Sequence, residues 1–446
     1  MTTTKNNEHK KLNFSSEREQ SQACLNSAEH EKNQGRKVLN VPNKQEQNQT
    51  CLDSAEREGL RPKGNVPNLR FKEFEGEWEK CILGDITENF NLRNKDKIQY
   101  PMFSVTNDRG FVPQSEQFEG RDMVGEDIKA YKIIHTNDFA YNPARINVGS
   151  IAMYTGEKPC MISSLYVCFK TTKEVNNEWL MQLLKTPKMN YYYKVNGEGG
   201  VRVYLFYPNF ARIRMSIPKI EEQKKIAKLL NLIDERIATQ NKIIEDLKKL
   251  KSAIIEIEYT PNTKTTSHIG DVIEQISKRN KNNAIQNVLS VSNRQGFIKQ
   301  SDQFENRNVA SEDTSNYKIV EKNDFAFNPA RINVGSIARL TTLEKGIVSP
   351  MYICFRTQEN VAPEYIDFFF ESKHFYCEIQ KRLEGSVRQC LSFEGLCNIP
   401  ISLPSLEMQQ RIGKRLLTLG QKIKTETDLL ELLNKQKQYL LRQMFI

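Results

Sequence analysis

Asn142-Pro-Ala-Arg-Ile-Asn-Val-Gly-Ser-Ile-Ala152 returns letter for letter as Asn328-Pro-Ala-Arg-Ile-Asn-Val-Gly-Ser-Ile-Ala338. From Asn142 to Asn328 the offset is 186 residues, and it holds well beyond the shared stretch. Phe103-Ser-Val-Thr-Asn-Asp-Arg-Gly-Phe111 aligns with Leu289-Ser-Val-Ser-Asn-Arg-Gln-Gly-Phe297, and Gly84-Asp85 with Gly270-Asp271. Val201-Arg202 aligns with Val387-Arg388, Pro218 with Pro404, and Gln223 and Ile226 with Gln409 and Ile412. No gap is needed, so the chain carries two copies of one unit, a domain followed by a helix. The period is far longer than the roughly 20–50 residues of solenoid repeats. Two equivalent units present two equivalent sites, which suits a target with two-fold character.

Around the repeated stretch the texture is that of short strands. Ser150-Ile-Ala-Met-Tyr154 and Leu165-Tyr-Val-Cys-Phe169 are β-prone runs bounded by Gly, Asn and Asp turn signals. A shorter helical pattern follows, Asn177-Glu-Trp-Leu-Met-Gln-Leu-Leu184, matched by Pro363-Glu-Tyr-Ile-Asp-Phe-Phe-Phe370. Each copy is therefore expected to fold as an α+β globule. From Glu221 to Glu258 the period changes. Ile226, Leu230, Ile233, Ile237, Ile244, Leu247 and Ile254 form a heptad seam interrupted by Gln240 and Lys251. The second copy repeats it at Ile412, Leu416, Leu419, Ile423, Leu430, Leu433 and Leu440, with Glu426 and Lys437 at the interruptions. Thr260-Pro261 stops the first helix, and Pro404-Ser405, with Ser405 as N-cap, opens the second. About 38 helical residues span roughly 57 Å, more than one compact domain requires. The two seams are expected to pack against each other as a coiled coil, with Ile233, Ile237, Leu419 and Ile423 between the helices. The alternative is that each helix packs only on its own domain.

The expected layout is a tail over residues 1–64, a domain over 65–219, a helix over 220–259, a second domain over 260–404 and a second helix over 405–446. The tail is rich in Asn, Gln, Glu, Lys and Ser and poor in large apolar residues, a composition that predicts disorder. It holds its own small duplication, Cys24-Leu-Asn-Ser-Ala-Glu-His-Glu31 against Cys51-Leu-Asp-Ser-Ala-Glu-Arg-Glu58.

The formal net charge is +10. Residues 1–64 contribute only 11 Lys/Arg against 9 Asp/Glu, so most of the excess lies in the repeats. A basic folded region is the footprint expected of a polyanion binder, which nominates double-stranded DNA as a partner, although a soluble protein that merely happens to be basic fits the charge alone equally well. No run of eighteen apolar residues and no signal-peptide pattern occurs, so no membrane partner is expected. Nine scattered cysteines without a Cys-x-x-Cys pair argue against a disulfide framework and a zinc site, and point to a reducing cytoplasm.

Catalytic signatures are missing. No phosphate-cradling Gly-x-x-x-x-Gly-Lys-Ser/Thr loop, dinucleotide-binding turn or nucleophile elbow occurs. Asn142-Pro-Ala-Arg145 is reminiscent of the Asn-Pro-Pro-aromatic loop of adenine methyltransferases, but lacks the second proline and the aromatic residue. Two readings compete with a DNA-specificity role: a stand-alone DNA adenine methyltransferase and a coiled-coil scaffold that does not bind DNA. The repeats do carry binding chemistry. Arg145 and Arg331 could bond guanine O6 and N7, and Asn147 and Asn333 adenine N6 and N7. Lys132 and Lys318, beside Tyr131 and Tyr317, add matched cations. Gly197-Glu-Gly-Gly-Val-Arg202 and Gly385-Ser-Val-Arg388 are turns ending in arginine, whose glycines permit close approach to a phosphate. Asp108 against Arg294, and Met153 against Arg339, are differences that could make the two copies read different bases.

With these residues in view, the chain resembles the specificity subunits of type I restriction-modification systems over residues 65–446. The resemblance rests on Val66-Pro-Asn-Leu-Arg-Phe71, Gly84-Asp85-Ile86, the Asn-Pro-Ala-Arg-Ile-Asn-Val-Gly-Ser core, Pro218-Lys-Ile-Glu-Glu-Gln-Lys-Lys-Ile226 and Leu433-Asn-Lys-Gln-Lys-Gln-Tyr-Leu-Leu441. It implies two pseudo-symmetric target recognition domains, each reading half of a split DNA sequence, separated by two long antiparallel helices. It also implies a non-catalytic chain that docks methylation subunits, two of them, and restriction subunits. Those partners would carry S-adenosylmethionine, ATP and Mg, leaving no cofactor here. The tail departs from the family pattern.

Overall fold

Each copy builds the same four-stranded antiparallel sheet from its short apolar runs. In the first copy the order is Thr87–Phe90, Val167–Thr171, Phe139–Tyr141, Ile151–Met153. In the second it is Ile273–Ile276, Ile353–Thr357, Phe325–Phe327, Ile337–Arg339. Register is preserved too: Phe139 faces Phe169 as Phe325 faces Phe355. These ring pairs stack at 4.9 and 5.1 Å and anchor the two cores. The computed structural model describes residues 64–117, 128–199, 203–260, 267–303, 313–386 and 389–446. The disorder expected of the tail falls outside them, apart from Gly64, and so do Arg202 and Arg388.

A second sheet completes each domain. In the second copy, Gly296–Lys299, Val288–Ser292, Lys345–Val348 and Lys318–Glu321 form one mixed sheet with a single parallel pairing. In the first copy the corresponding strands form two separate pairs, Phe103–Thr106 with Gly110–Pro113 and Lys132–Ile134 with Cys160–Ile162. Three short helices follow in both: Asn177–Leu184, Pro187–Asn196 and Tyr207–Ala211, then Pro363–Phe369, Lys373–Arg382 and Phe393–Cys397. Gly84 and Gly270 lie against the last helix of each set. A Cβ on Gly84 would meet the Ala211 Cβ at 3.1 Å, and one on Gly270 the Cys397 Cβ at 2.8 Å. The Gly-Asp pair is thus structural, with Asp85 and Asp271 accepting from the Ile82 and His268 amides at 2.8 and 2.7 Å.

The central helix, Ile220–Tyr259, and the C-terminal helix, Leu406–Gln443, pack together and run antiparallel. Their direction follows from three polar links: Asp234 with Lys437, Gln240 with Glu426, and Glu258 with Arg415. Residue numbers rise along one helix as they fall along the other. The Gln240 amide donates to the Glu426 carbonyl at 3.0 Å, so one position of the repeat meets its own image. The heptad interruptions are therefore cross-links rather than flaws. Gln240 and Glu426 join the helices at their crossing, Lys437 reaches Asp234, and Lys251 reaches Glu371.

The two helices pack against each other, and the alternative that each packs only on its own domain does not hold, because each reaches into both cores. Ile226, Ala227 and Leu230 enter the first core together with Leu441 from the other helix and Met444 and Phe445 just beyond its end. Ile255, Tyr259, Ile412 and Leu416 enter the second. Between the cores the helices rely on each other, with Ile244 and Leu433 buried. Of the four seam residues singled out, Ile233 is buried, whereas Ile237, Leu419 and Ile423 are half-buried. Two helices alone cannot close both sides of a seam to water.

Matched glutamines latch each helix to the domain before it. Gln223 accepts from the Asn176 amide at 2.8 Å and donates to Pro218 O at 2.9 Å. Gln409 repeats this with Ala362 at 3.0 Å and Pro404 at 2.9 Å. The start of the first domain is fastened to the far helix: Leu69 N donates to Gln443 O at 2.9 Å, and Phe445 packs 6.0 Å from Trp179. Arg70 completes this clasp with a bidentate pair to the buried Glu222, at 2.8 and 2.7 Å.

Candidate nucleic-acid interface

The repeated stretch is a closed loop between two strands. Asn142 begins it as an Asx turn, its side-chain oxygen accepting from the Ala144 amide at 3.0 Å. Asn328 does the same with Ala330 at 3.1 Å. A short 3-10 turn follows, Ile146–Val148 or Ile332–Val334, ended by Gly149 or Gly335 at φ +97° or +89°. That left-handed conformation suits a residue without Cβ. Ser150 Oγ donates to Val105 O at 2.7 Å and Ser336 Oγ to Val291 O at 3.1 Å. Ile146 and Ile332 are buried. Asn142, Ile146, Gly149 and Ser150, with their counterparts in the second copy, therefore build the loop, while Arg145 and Val148, like Arg331 and Val334, face out.

Arg145 and Arg331 are exposed in both copies, and among the described residues neither guanidinium has a hydrogen bond or ion pair. Asn147 and Asn333 are half-exposed beside them. Next to Arg331 lies an open depression of about 610 Å³, bounded also by Asn333, Met351, Ser386 and Gln389. An unpaired cation beside an amide at the rim of a depression is a surface equipped to donate hydrogen bonds to an acceptor-rich edge.

The residues on either side of the two glycine-containing turns are described, and they lie against the repeated loop. Glu198 and Tyr204 exchange backbone hydrogen bonds of 2.8 Å, as Glu384 and Cys390 do at 2.9 and 2.8 Å. The next amide, Leu205 or Leu391, donates to Pro143 O or Pro329 O at 3.0 Å. The base of each turn is thereby tied to the repeated loop.

Two expectations need correction. Lys132 and Lys318 are not free cations: each is half-buried, its Nζ donating at 2.6 Å to Tyr166 O or Tyr352 O. Arg339 does not face outward either. Its side chain is 4% exposed and pairs with Glu364 at 2.6 Å and Asp367 at 3.1 Å, so its contrast with Met153 concerns the core. Burial raises the Asp367 carboxyl, with Arg339 opposing the shift. The exposed contrast is Asp108 against Arg294. The Asp108 carboxyl is held below its usual value by its own backbone amide and by Thr106.

Sequence reading missed Leu165 and Met351. Both stand in the turn Ser-x-x-Tyr at the same repeat position, and both are large, apolar and exposed. An unpaired apolar residue in a tight turn of both copies was the available signal. A larger cavity of about 850 Å³ involves Lys80, Lys188 and Arg214, but the last two correspond to His374 and Pro400, so it is no part of the repeated surface.

Comparison with known proteins follows the duplication. The model of the type I restriction modification DNA specificity domain matches twice, at residues 75–249 and 261–435. Two proteins of Methanocaldococcus jannaschii are 24% identical over 412 and 411 residues. They cover 84% and 83% of this chain and 93% and 92% of their own lengths. One is named the type I restriction enzyme MjaVIII specificity subunit. The crystal structure of the type I restriction-modification S subunit from M. genitalium is similar with a TM-score of 0.53 at 13% identity, covering 85% of this chain and 99% of that one. A chain from a type I restriction-modification system, solved for its assembly and conformational transition, gives 0.50 at 13% identity, covering 83% and 98%. At such identity the structures speak for the fold. Among the described residues no helix is long and apolar enough to cross a membrane.

Proposed function

The chain belongs to the type I restriction-modification DNA specificity family, and we propose that it reads the DNA sequence for such a complex without itself catalysing a reaction. The domains over residues 65–219 and 260–404 are the target recognition domains, and each reads one half of a bipartite site. Arg145 and Arg331 address guanine, Asn147 and Asn333 adenine, and Arg202 and Arg388 the phosphates. Lys132 and Lys318 act through the turns they hold. The complex works in the cytoplasm, where two methylation subunits dock on the chain and restriction subunits join them. S-adenosylmethionine, ATP and Mg belong to those partners.

The observation that supports this reading best is the pair of exposed arginines, unpaired among the described residues, at one loop position in two copies joined by antiparallel helices. Where Gln240 meets its image Glu426, the arrangement is that of a two-fold axis. A two-fold reader mirrors a palindromic site. About half the positions from Phe103 to Phe169 are identical in Leu289 to Phe355, so the half-sites should be similar. Helices of roughly 57 Å hold them about one to one and a half DNA turns apart, at roughly 34–36 Å per turn. The target is thus a split, nearly palindromic sequence. Mapping methylated adenines in cells carrying the whole system tests this. Half-sites without inverted similarity would mean that the shared residues only build the fold. Binding should also fall steeply as salt rises, because counterions are released from the DNA. Affinity unchanged between low and moderate salt would defeat the DNA reading.

A further inference from the structure

We propose that Leu165 and Met351 are specificity-determining residues, each contacting the 5-methyl group of a thymine beside the base pair that Arg145 or Arg331 addresses. The inference rests on the DNA-reading role proposed above and names a second recognition element within it. Three observations carry it. The first is exposure: Leu165 is 77% and Met351 58% solvent-accessible, though both side chains are large and apolar. Single exposed apolar residues are ordinary on a protein surface. The same exposure at one position of two diverged copies, where neighbouring Ser164 and Pro350 differ, is not explained by chance placement.

The second observation is rigidity. Tyr166 N donates to Ser163 O at 3.2 Å and Tyr352 N to Ser349 O at 3.1 Å, closing a tight turn around each apolar residue. The tyrosine hydroxyls accept from Val105 N at 3.1 Å and Val291 N at 3.3 Å. Lys132 and Lys318 hold the tyrosine carbonyls at 2.6 Å. Each turn is thus fixed at three points, with its apolar tip left in solvent. A preorganised tip loses little freedom on binding.

The third is position. Met351 lines the depression that also holds Arg331 and Asn333. Val148 and Val334, 54% and 52% exposed, lie one residue beyond Asn147 and Asn333 and extend the apolar character of the surface. A guanidinium, an amide and a methyl-sized apolar surface are the complement of a major-groove edge carrying acceptors and a thymine methyl.

The test uses the full chain together with its methylation subunits and the target found by methylation mapping. Thymines are replaced by uracil one at a time, which deletes only the methyl group, and binding is measured for wild type, L165A and M351A. Wild type should lose about fourfold in affinity at one thymine in each half-site, the worth of one buried methyl-sized group. M351A should be insensitive to the replacement in one half-site and L165A in the other, each keeping wild-type sensitivity elsewhere. Equal sensitivity of wild type and both variants at every thymine would overturn the proposal, as would a target in which no thymine methyl matters. Wild type failing to prefer its mapped target over a scrambled duplex would instead overturn the DNA-reading role, and this inference with it. Circular dichroism of the variants should match wild type, because both side chains are exposed.

Discussion

Arg331 and Arg339 stand eight residues apart and are set to opposite tasks by burial. Arg331 is exposed and without a partner among the described residues, so Arg331→Ala should leave the melting temperature within a degree or two. It should weaken binding at one base pair by about 1–3 kcal/mol, the range of a bidentate contact. A drop in melting temperature with specificity intact would show that the side chain builds the fold. Arg339→Met should do the reverse. It strips Glu364 and Asp367 of their cation, and because both are partly solvated the loss is about 1–3 kcal/mol, below that of a fully buried pair. Burial already raises Asp367, and without Arg339 its folded-state value lies further above the unfolded one. The protonated form is then favoured by folding. The variant's deficit should therefore be small at pH below the ordinary aspartate range and grow as pH rises through the raised value. A deficit independent of pH would remove Asp367 from the account. The Tyr141 hydroxyl is buried without a partner among the described residues, where the second copy has Phe327. Tyr141→Phe should be neutral or stabilising by about 1 kcal/mol in thermal melts. A loss of that size would reveal a water satisfying the hydroxyl. The loop carrying these contrasts was plain in the sequence as an exact repeat, but the direction of each side chain was not. Arg145 and Arg339 differ only in burial and neighbours, which emerge after the sheets pack.

The two long helices show the same limit at the next scale. Their length, caps and heptad seams were readable because periodicity is a property of neighbouring residues. Their partners were not, since an apolar stripe reports that something covers it and not what. Helix ends enter both domain cores, and only the middle depends on helix against helix. That division changes the expected effect of mutation. Ile237 is half-buried, so Ile237→Asp can turn its carboxylate to water and should cost only about 1 kcal/mol. Leu433 is 4% exposed, and Leu433→Asp should cost several kcal/mol and disrupt assembly with the methylation subunits. Paired denaturant melts and co-purification check this. Equal damage from the two would mean that a partner covers Ile237. Lys132 was misjudged for a related reason: a lysine beside a tyrosine looks like surface charge until the turn at Tyr166 is seen to need its ammonium.

In the whole molecule the two domains and two helices close a circuit. The central helix leads from the first domain to the second, the C-terminal helix leads back, and the Leu69–Gln443 bond joins the end of that return to the start of the first domain. The Arg70–Glu222 pair and the packing of Phe445 on Trp179 reinforce the join. Order along the chain is then almost incidental to the shape. A permuted chain with residue 446 linked to residue 65, and new ends opened between residues 260 and 267, should fold to the same object and direct methylation to the same sequence. The gene for either half could likewise be exchanged for that of a relative, provided that the Gln240–Glu426 crossing and the clasp survive. New targets would then arise by recombination at the helices, with no domain having to evolve a new fold.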